Sequence, residues 1–399
     1  MKRKKQIISS MLILIIFSFS LIGSVMASSE IWEQTYGEND NFYAESFVQS
    51  SNGGFVIAGT SESGALLLKT DSIGNIEWKR TYSEINVRTD MSDGDIESLI
   101  ETSDGGYALV ISQRLLVKFD MNGIMEWNRT LLGGHRPRSL IQTSDGGFVV
   151  AGSSGDRQLG EENYFWLTKT DELGYNLWNK TYKTIITGSA GSVIQTFDGG
   201  FALLGSNTMN SDFLLVKTDS SGELEWLKKY EKPDIDTGQR IVQNNDGGYT
   251  MAGMIWNRSD LNNMAGLIKT DSNGTMLWMK NYYGSWHVSM EATSDGGYIL
   301  LSDSTLSKTD SEGNIQWTKG YHGNAHSVIQ THEGYAILGT GSFLISDDPP
   351  IGKYYVWIIK TDSIGSIPEF SSLTILPIIL VSSLAVILCR NKIQKNRSK

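Results

Sequence analysis

The chain has 399 residues, with 34 Lys and Arg against 44 Asp and Glu, and a single Cys. One Cys excludes a disulfide scaffold and any multi-cysteine zinc or iron–sulfur site, and 40% hydrophobic residues exclude bulk disorder. Four basic residues lie in 1–27 and five in 370–399, with no acid at either end. The body at 28–369 therefore keeps 25 basic against 44 acidic groups, a net charge of −19 that excludes a nucleic-acid partner.

The N-terminus reads MKRKK, then an apolar run from Ile7 to Val25, then VMA. This pattern predicts a signal peptide over residues 1–27, cut after Ala27. Residues 28–366 repeat one unit. KTDSIGNIEW at Lys69–Trp78 recurs as KFDMNGIMEW, KTDELGYNLW, KTDSSGELEW, KTDSNGTMLW and KTDSEGNIQW, and a further KTDSIG begins at Lys360. Each is preceded by a string such as SLIQTSDGGFVVAG at Ser139, whose Asp-Gly suits a tight hairpin turn. Within a unit the strands read SLIQT, FVVAG, YFWLTKT and NLWNKTY, and the periodicity predicts a four-stranded propeller blade in about 48 residues. The last unit lacks its Trp strand, and EIWEQTYG at the start of the body supplies one. The expected fold is all-β, a seven-bladed β-propeller of four-stranded blades closed by the N-terminal strand. Trp32, Trp78, Trp127, Trp178, Trp226, Trp278 and Trp317 are its structural repeat, expected in the core. The third-strand lysines, Lys69, Lys118, Lys169, Lys217, Lys269, Lys308 and Lys360, are expected to meet Asp104, Asp145, Asp198, Asp246 or Asp295 as exposed pairs at the invariant turns.

After the body, residues 367–389 form a stalk and an apolar segment long enough for a transmembrane helix, and 390–399 form a basic tail expected on the cytoplasmic side. Pro368, Glu369 and Phe370 before that helix resemble the Pro-Glu-Phe sorting tails of archaeal surface proteins. That resemblance implies a cell-surface protein anchored by the helix, or by a lipid after its removal. The repeat resembles the secreted β-propeller repeats of archaeal and bacterial surface proteins, which read DGGY and then KTDxxGxxxW. It is also similar to the Trp-docking repeat of quinoprotein dehydrogenases, but the repeat count differs and the body has no Cys. The Asp-box of sialidases and the hairpin of kelch propellers share its Asp-to-Trp order with other spacings. These resemblances imply a fold and no common activity.

No GxSxG, HExxH or P-loop occurs, and no cofactor or metal is expected. The turns SDGG and TDxxG are nearly constant and lie on one face, the bottom. The opposite face carries the variable connections at Ser153–Asn163, Met254–Met264 and Thr340–Lys353. Function is expected there, with Arg138, Trp256, Trp286, His287 and His326 as candidate ligand-binding residues. Sequons at Asn128, Asn179, Asn257 and Asn273 are candidate glycosylation sites on an exported chain. Two function classes remain at this stage. One is a non-catalytic surface module binding an extracellular glycan, peptide or envelope protein. The other is an extracellular polymer-acting hydrolase or lyase with a carboxylate pair such as Glu45 and Glu97 at the channel mouth.

Overall fold

The computed structural model describes residues 31–37, 41–85, 87, 96–155, 162–183, 187–207, 212–230, 235–257, 262–284, 288–321, 323–347 and 350–366. They form seven four-stranded antiparallel sheets, the blades of a β-propeller. Blade 1 runs from Tyr43 to Tyr82, blade 2 from Ile96 to Thr130 and blade 3 from Arg136 to Thr181. Blade 4 runs from Gly188 to Tyr230, blade 5 from Ile235 to Tyr283 and blade 6 from Val288 to Gly320. Blade 7 takes three strands from Asn324 to Asp362 and its fourth from Trp32–Tyr36. Trp32 pairs with Lys360 and Tyr36 with Val356, so the N-terminal strand closes the ring as expected. The signal segment and the expected membrane helix lie outside the described residues. Among those described, no helix is long and apolar enough to cross a membrane.

The first strand of each blade is innermost, and these seven strands neighbour one another around a central channel. Second and third strands read as continuous apolar runs because neighbouring blades cover both their faces. Phe55–Ser61 and Gly64–Thr70 are buried at every position.

The outer strand docks each blade on the next. Trp78 meets Tyr107 edge-on at 6.2 Å, and Trp127 meets Phe148 at 5.8 Å. The same indoles lie over the turn glycines of the following blade; a Cβ on Gly123 would come within 2.7 Å of the Trp78 ring. Trp32 is buried, and the other six repeat Trp are partly buried, each packed against a core cluster. The expected core position holds fully for Trp32 and in part for the other six, because the outer strand has one face toward solvent. Four residues after each Trp, a buried Tyr completes the joint. Tyr36, Tyr82, Tyr182, Tyr230, Tyr282 and Tyr321 donate their hydroxyls to the carbonyls of Gly74, Gly123, Gly222, Gly274, Gly313 and Gly365. Blade 2 has Leu131 in that place, fully buried without a hydroxyl.

Candidate functional site

The bottom face is built from repeated, internally satisfied polar groups. Lys118, Lys169, Lys217 and Lys308 reach Asp104, Asp145, Asp198 and Asp295 at 2.8–2.9 Å. Their ammonium ends are buried while the carboxylates stay exposed, so only the acid half of each pair matches the expected exposure. The Lys118 ammonium donates also to the Phe119 carbonyl at 3.1 Å and to Glu126 at 3.0 Å, so the desolvated charge is fully coordinated. In these four blades a Thr hydroxyl donates to the Asp at 2.5–2.6 Å and fixes its rotamer. Blade 5 has Asn244 there, and its amide turns to Thr250 at 3.0 Å. The expected Lys269–Asp246 pair does not form; Lys269 instead donates to the Ser311 carbonyl at 3.2 Å and faces Glu312 at 3.7 Å. Lys69 and Lys360 meet Glu77 and Glu333 at 3.4 and 2.8 Å.

These pairs set an acid limit. Burial alone would raise the Asp104 carboxyl, but Lys118, Thr102 and the Gly106 N–H outweigh it and hold it down to about 2. Asp198 and Asp295 follow the same pattern, and at Asp145 the Thr143 hydroxyl is the largest influence. A carboxyl depressed on folding stabilises the fold above its unfolded pKa, and that contribution is lost as pH falls through the folded value. Stability from this set should therefore decline between about pH 4 and 2. Each contribution is small because the carboxylates face solvent. Circular dichroism during acid titration should show D104N/D145N/D198N/D295N with a flatter loss over that window than the wild type. Equal slopes would contradict the assignment.

At the bottom, the last side chain of the inner strand ties five blades to the blade before them. Glu101, Gln142, Gln195, Gln243 and Gln330 each accept a turn N–H from the preceding blade, at 2.7–2.9 Å. The Asp71 carboxylate accepts from the N–H groups of Ile73 and Asn75 at 3.0 and 2.8 Å, closing its own hairpin turn. Among the described residues no group of three or more His, Cys, Asp or Glu is placed to hold a metal ion.

The top face differs in kind. Six inner strands carry an extra residue that interrupts pairing with the second strand, between Ala44 and Ser46, Ile96 and Ser98, Pro137 and Ser139, Ala190 and Ser192, Gly238 and Arg240, and Ala325 and Ser327. The bulge residues are Glu45, Glu97, Arg138, Gly191, Gln239 and His326. They lie toward the start of each inner strand, opposite the SDGG turn, and so ring the top mouth of the channel. A bulge re-aims its side chain and is favoured beside binding sites. Blade 6 shows no such bulge among the described residues and pairs Val288 directly with Ser302. The bulged backbone crosses close over the second strand: a Cβ on Gly59, Gly152, Gly205 or Gly253 would sit 1.9–2.0 Å from an inner-strand carbonyl oxygen.

Part of this ring joins blade to blade. Glu45 accepts from the Ile96 N–H at 2.6 Å and the Thr60 hydroxyl at 3.1 Å. Gln239 accepts from the Val288 N–H at 2.8 Å, and Arg138 pairs with Glu97 at 2.9 Å. Glu45 and Glu97 are thus engaged with neighbouring blades, which weakens the case for a catalytic carboxylate pair. At the closure seam, Tyr43 meets Tyr354 edge-on at 5.5 Å and His326 at 5.9 Å, forming a half-exposed aromatic cluster beside the acids. Burial, then Glu45 and Tyr354, raise the Tyr43 hydroxyl above its ordinary pKa.

The structure brings Arg138 and His326 to the mouth, although Arg138 is committed to Glu97. Trp256 lies on a strand opposite Asn263; its side chain, and Trp286 and His287 entirely, lie outside the described residues. Two of the three expected loops are largely hairpin. Tyr249–Asn257 pairs with Asn262–Thr270, and Gly334–Asp347 with Pro350–Asp362, which satisfies backbone groups that an open loop leaves to solvent. At 14 and 13 residues, the blade 7 pair is the longest hairpin described. Of Ser153–Asn163, residues 156–161 lie outside the described set. Asn128 and Asn179 are exposed on outer strands, Asn273 is exposed on a bottom turn, and the Asn257 side chain lies outside the described residues. Sequence reading missed Tyr43, Tyr354 and Gln239. Alignment of the inner strands on their bottom turns places Gln239 at the position of Arg138 and His326.

The chain is a β-propeller repeat protein. Among solved structures it is similar to the hydrazine synthase of Kuenenia stuttgartiensis, with TM-score 0.57 and 11% identity over 74% of this chain and 92% of that one. The Neurospora crassa Pan2 WD40 domain matches with TM-score 0.56 and 11% identity over 86% and 99% of the two chains. A streptogramin B lyase matches with TM-score 0.56 and 12% identity over 82% and 97%. At such identities the likeness establishes the fold alone, and the neighbours include both enzymes and a WD40 domain. No protein-family model and no curated protein matches the chain.

Proposed function

We propose that this protein is a non-catalytic binding module of the cell surface. It takes an extracellular glycan, a peptide or a neighbouring envelope protein at the top of its propeller. The observation that carries this reading is the bulge ring. The bottom repeats the same turn chemistry around the disc, whereas the mouth presents Glu45, Glu97, Arg138, Gly191, Gln239 and His326 on successive bulges. Unlike groups on a rigid frame encode a specific partner, and repeated groups do not. The Tyr43, Tyr354 and His326 cluster adds aromatic area that orders at low entropic cost. Export and anchoring rest on residues 1–27 and 367–399 of the sequence, and glycosylation at Asn128, Asn179, Asn257 and Asn273 would follow from export. Cytoplasmic retention of an epitope-tagged chain would refute that placement.

The test is binding to envelope glycans and proteins by Y43A/H326A, with F197S on the bottom face as control. Phe197 is 70% exposed. The mouth variant should lose roughly 1–4 kcal/mol of binding, and F197S should bind as the wild type does. Unchanged binding by Y43A/H326A would contradict the reading.

A further inference from the structure

Two charged side chains, Arg240 and Glu291, lie on the adjacent inner strands of blades 5 and 6. The residue following each bulge position is Ser46, Ser98, Ser139, Ser192, Ser289 and Ser327 in six blades; in blade 5 it is Arg240. Two residues further on, six blades carry Val48, Ile100, Ile141, Ile194, Val242 and Ile329; in blade 6 this position is Glu291. The only two charged departures from these positions thus fall on adjacent inner strands, Ile235–Gln243 and Val288–Ala292. Elsewhere the Ser is structural: the hydroxyls of Ser46, Ser139 and Ser289 accept the Leu99, Val193 and Val328 N–H groups of the next blade. Replacing it with Arg removes that joint and adds a cation.

Arg240 is exposed to the channel yet enclosed by protein, so its charge is wetted but not freely screened. Of its five N–H donors, Nη1 meets the Gln239 carbonyl at 3.1 Å. Its charge interacts with Glu291, but no carboxylate within ion-pair distance is described for it. Glu291 instead accepts the Gln330 N–H at 2.7 Å. We propose that Arg240 holds a small oxyanion, a carboxylate or a sulfate-like group, in the central channel, and that ionised Glu291 competes with it. Arg presents a planar fork of donors that matches such anions.

Burial pushes the Glu291 carboxyl up to about 7, against the lowering effects of the Gln330 N–H and Arg240. Burial lowers the Arg240 pKa and Glu291 opposes this, leaving Arg240 a cation at neutral pH. Few other charges lie near the pair. The strands Gly188–Gln195, Phe201–Asn207, Tyr249–Asn257 and Tyr298–Ser302 contain none. Phe213–Thr218 has only Lys217, held by Asp198 and Glu225 at the bottom, and Asn324–Gln330 has only His326. Asp236 belongs to the Arg240 strand, and its side chain lies outside the described residues. Below neutrality the pair therefore carries a net positive charge, which an anion can balance. Above it, Glu291 supplies that balance internally. Anion binding at Arg240 does not depend on what the mouth binds.

The experiment is calorimetric titration of the full-length protein with sodium acetate and, separately, sodium sulfate, at about pH 5.5 and pH 8.5, where both anions keep their charge. At least one should bind at the lower pH and bind tenfold or more weakly at the higher. A preference for acetate or for sulfate identifies the source as carboxylate or sulfate-like; either supports the site. R240S and E291I each restore the residue type of the other six blades, which favours folding. R240S should abolish binding, and E291I should bind equally at both pH values. Absence of binding by both anions at the lower pH, full binding by R240S, or retained pH dependence in E291I would overturn the proposal.

Discussion

Deleting residues 31–37 should unfold or aggregate the protein under conditions in which the intact chain is stable. The segment is one strand, but its losses are concentrated. Five residue pairs with the third strand of blade 7 disappear, from Trp32 opposite Lys360 to Tyr36 opposite Val356. Trp32 is 8% and Tyr36 4% exposed, the former edge-on to Phe55 at 5.7 Å with its indole N–H on the Ser72 carbonyl at 3.0 Å. The Tyr36 hydroxyl donates to the Gly74 carbonyl at 2.8 Å. A buried Trp alone costs ~3–5 kcal/mol when truncated to Ala, against a whole-domain stability of roughly 5–15 kcal/mol. Deletion also leaves the blade 7 strand with an unpaired edge, a template for association. Thermal denaturation with sedimentation would read both effects. W32A, which keeps the strand, should lose about 3–5 kcal/mol without exposing the edge. An unchanged melting temperature on deletion would contradict closure.

Gly152→Val should destabilise the protein by roughly 3–4 kcal/mol and disturb the mouth at the same time. The second strand of blade 3 passes so close beneath the bulge that a Cβ on Gly152 would lie 1.9 Å from the Arg136 carbonyl oxygen and 2.8 Å from the Pro137 Cα. Both obstacles are backbone, so the inner strand itself must move. Its displacement would carry Arg138 away from Glu97, now at 2.9 Å. Arg138→Ala breaks the same ion pair without backbone strain, and should cost about 1 kcal/mol because Arg138 is 43% exposed, although Glu97 is only 12% exposed. Denaturant unfolding of the two variants separates these effects, and equal stabilities would sink the steric argument. Ile111 fills the equivalent place in blade 2, where pairing begins only at Ile96 and the preceding chain lies outside the described residues.

The blade plan was legible because it is written in local chemistry. Asp-Gly turns, apolar runs and a Trp at constant phase recur with each blade, and the unpaired Trp32 strand matches the Trp missing after Lys360. Failures came where the outcome depends on a partner strand or on solvent. The partial exposure of six Trp follows from the outer strand's open face, which composition does not encode. Lys269 departs from its fellows because Asn244 replaces a Thr, a visible change whose consequence depends on Thr250 across the sheet. The bulges were invisible because an extra residue is defined only by its partner strand. Gly59, Gly152, Gly205 and Gly253 were the available trace: glycine in a buried strand often marks a bulge or a close backbone approach. Two expected loops proved to be hairpins because their ladders continue past the disc.

The most direct measurement is hydrogen-exchange footprinting of the full-length protein against an envelope fraction that it retains. Added protection should fall on residues 41–45, 96–98, 136–139, 324–327 and 353–356, which surround the mouth. Protection confined to the bottom turns at 51–54, 103–106, 144–147 and 294–297 would contradict the account.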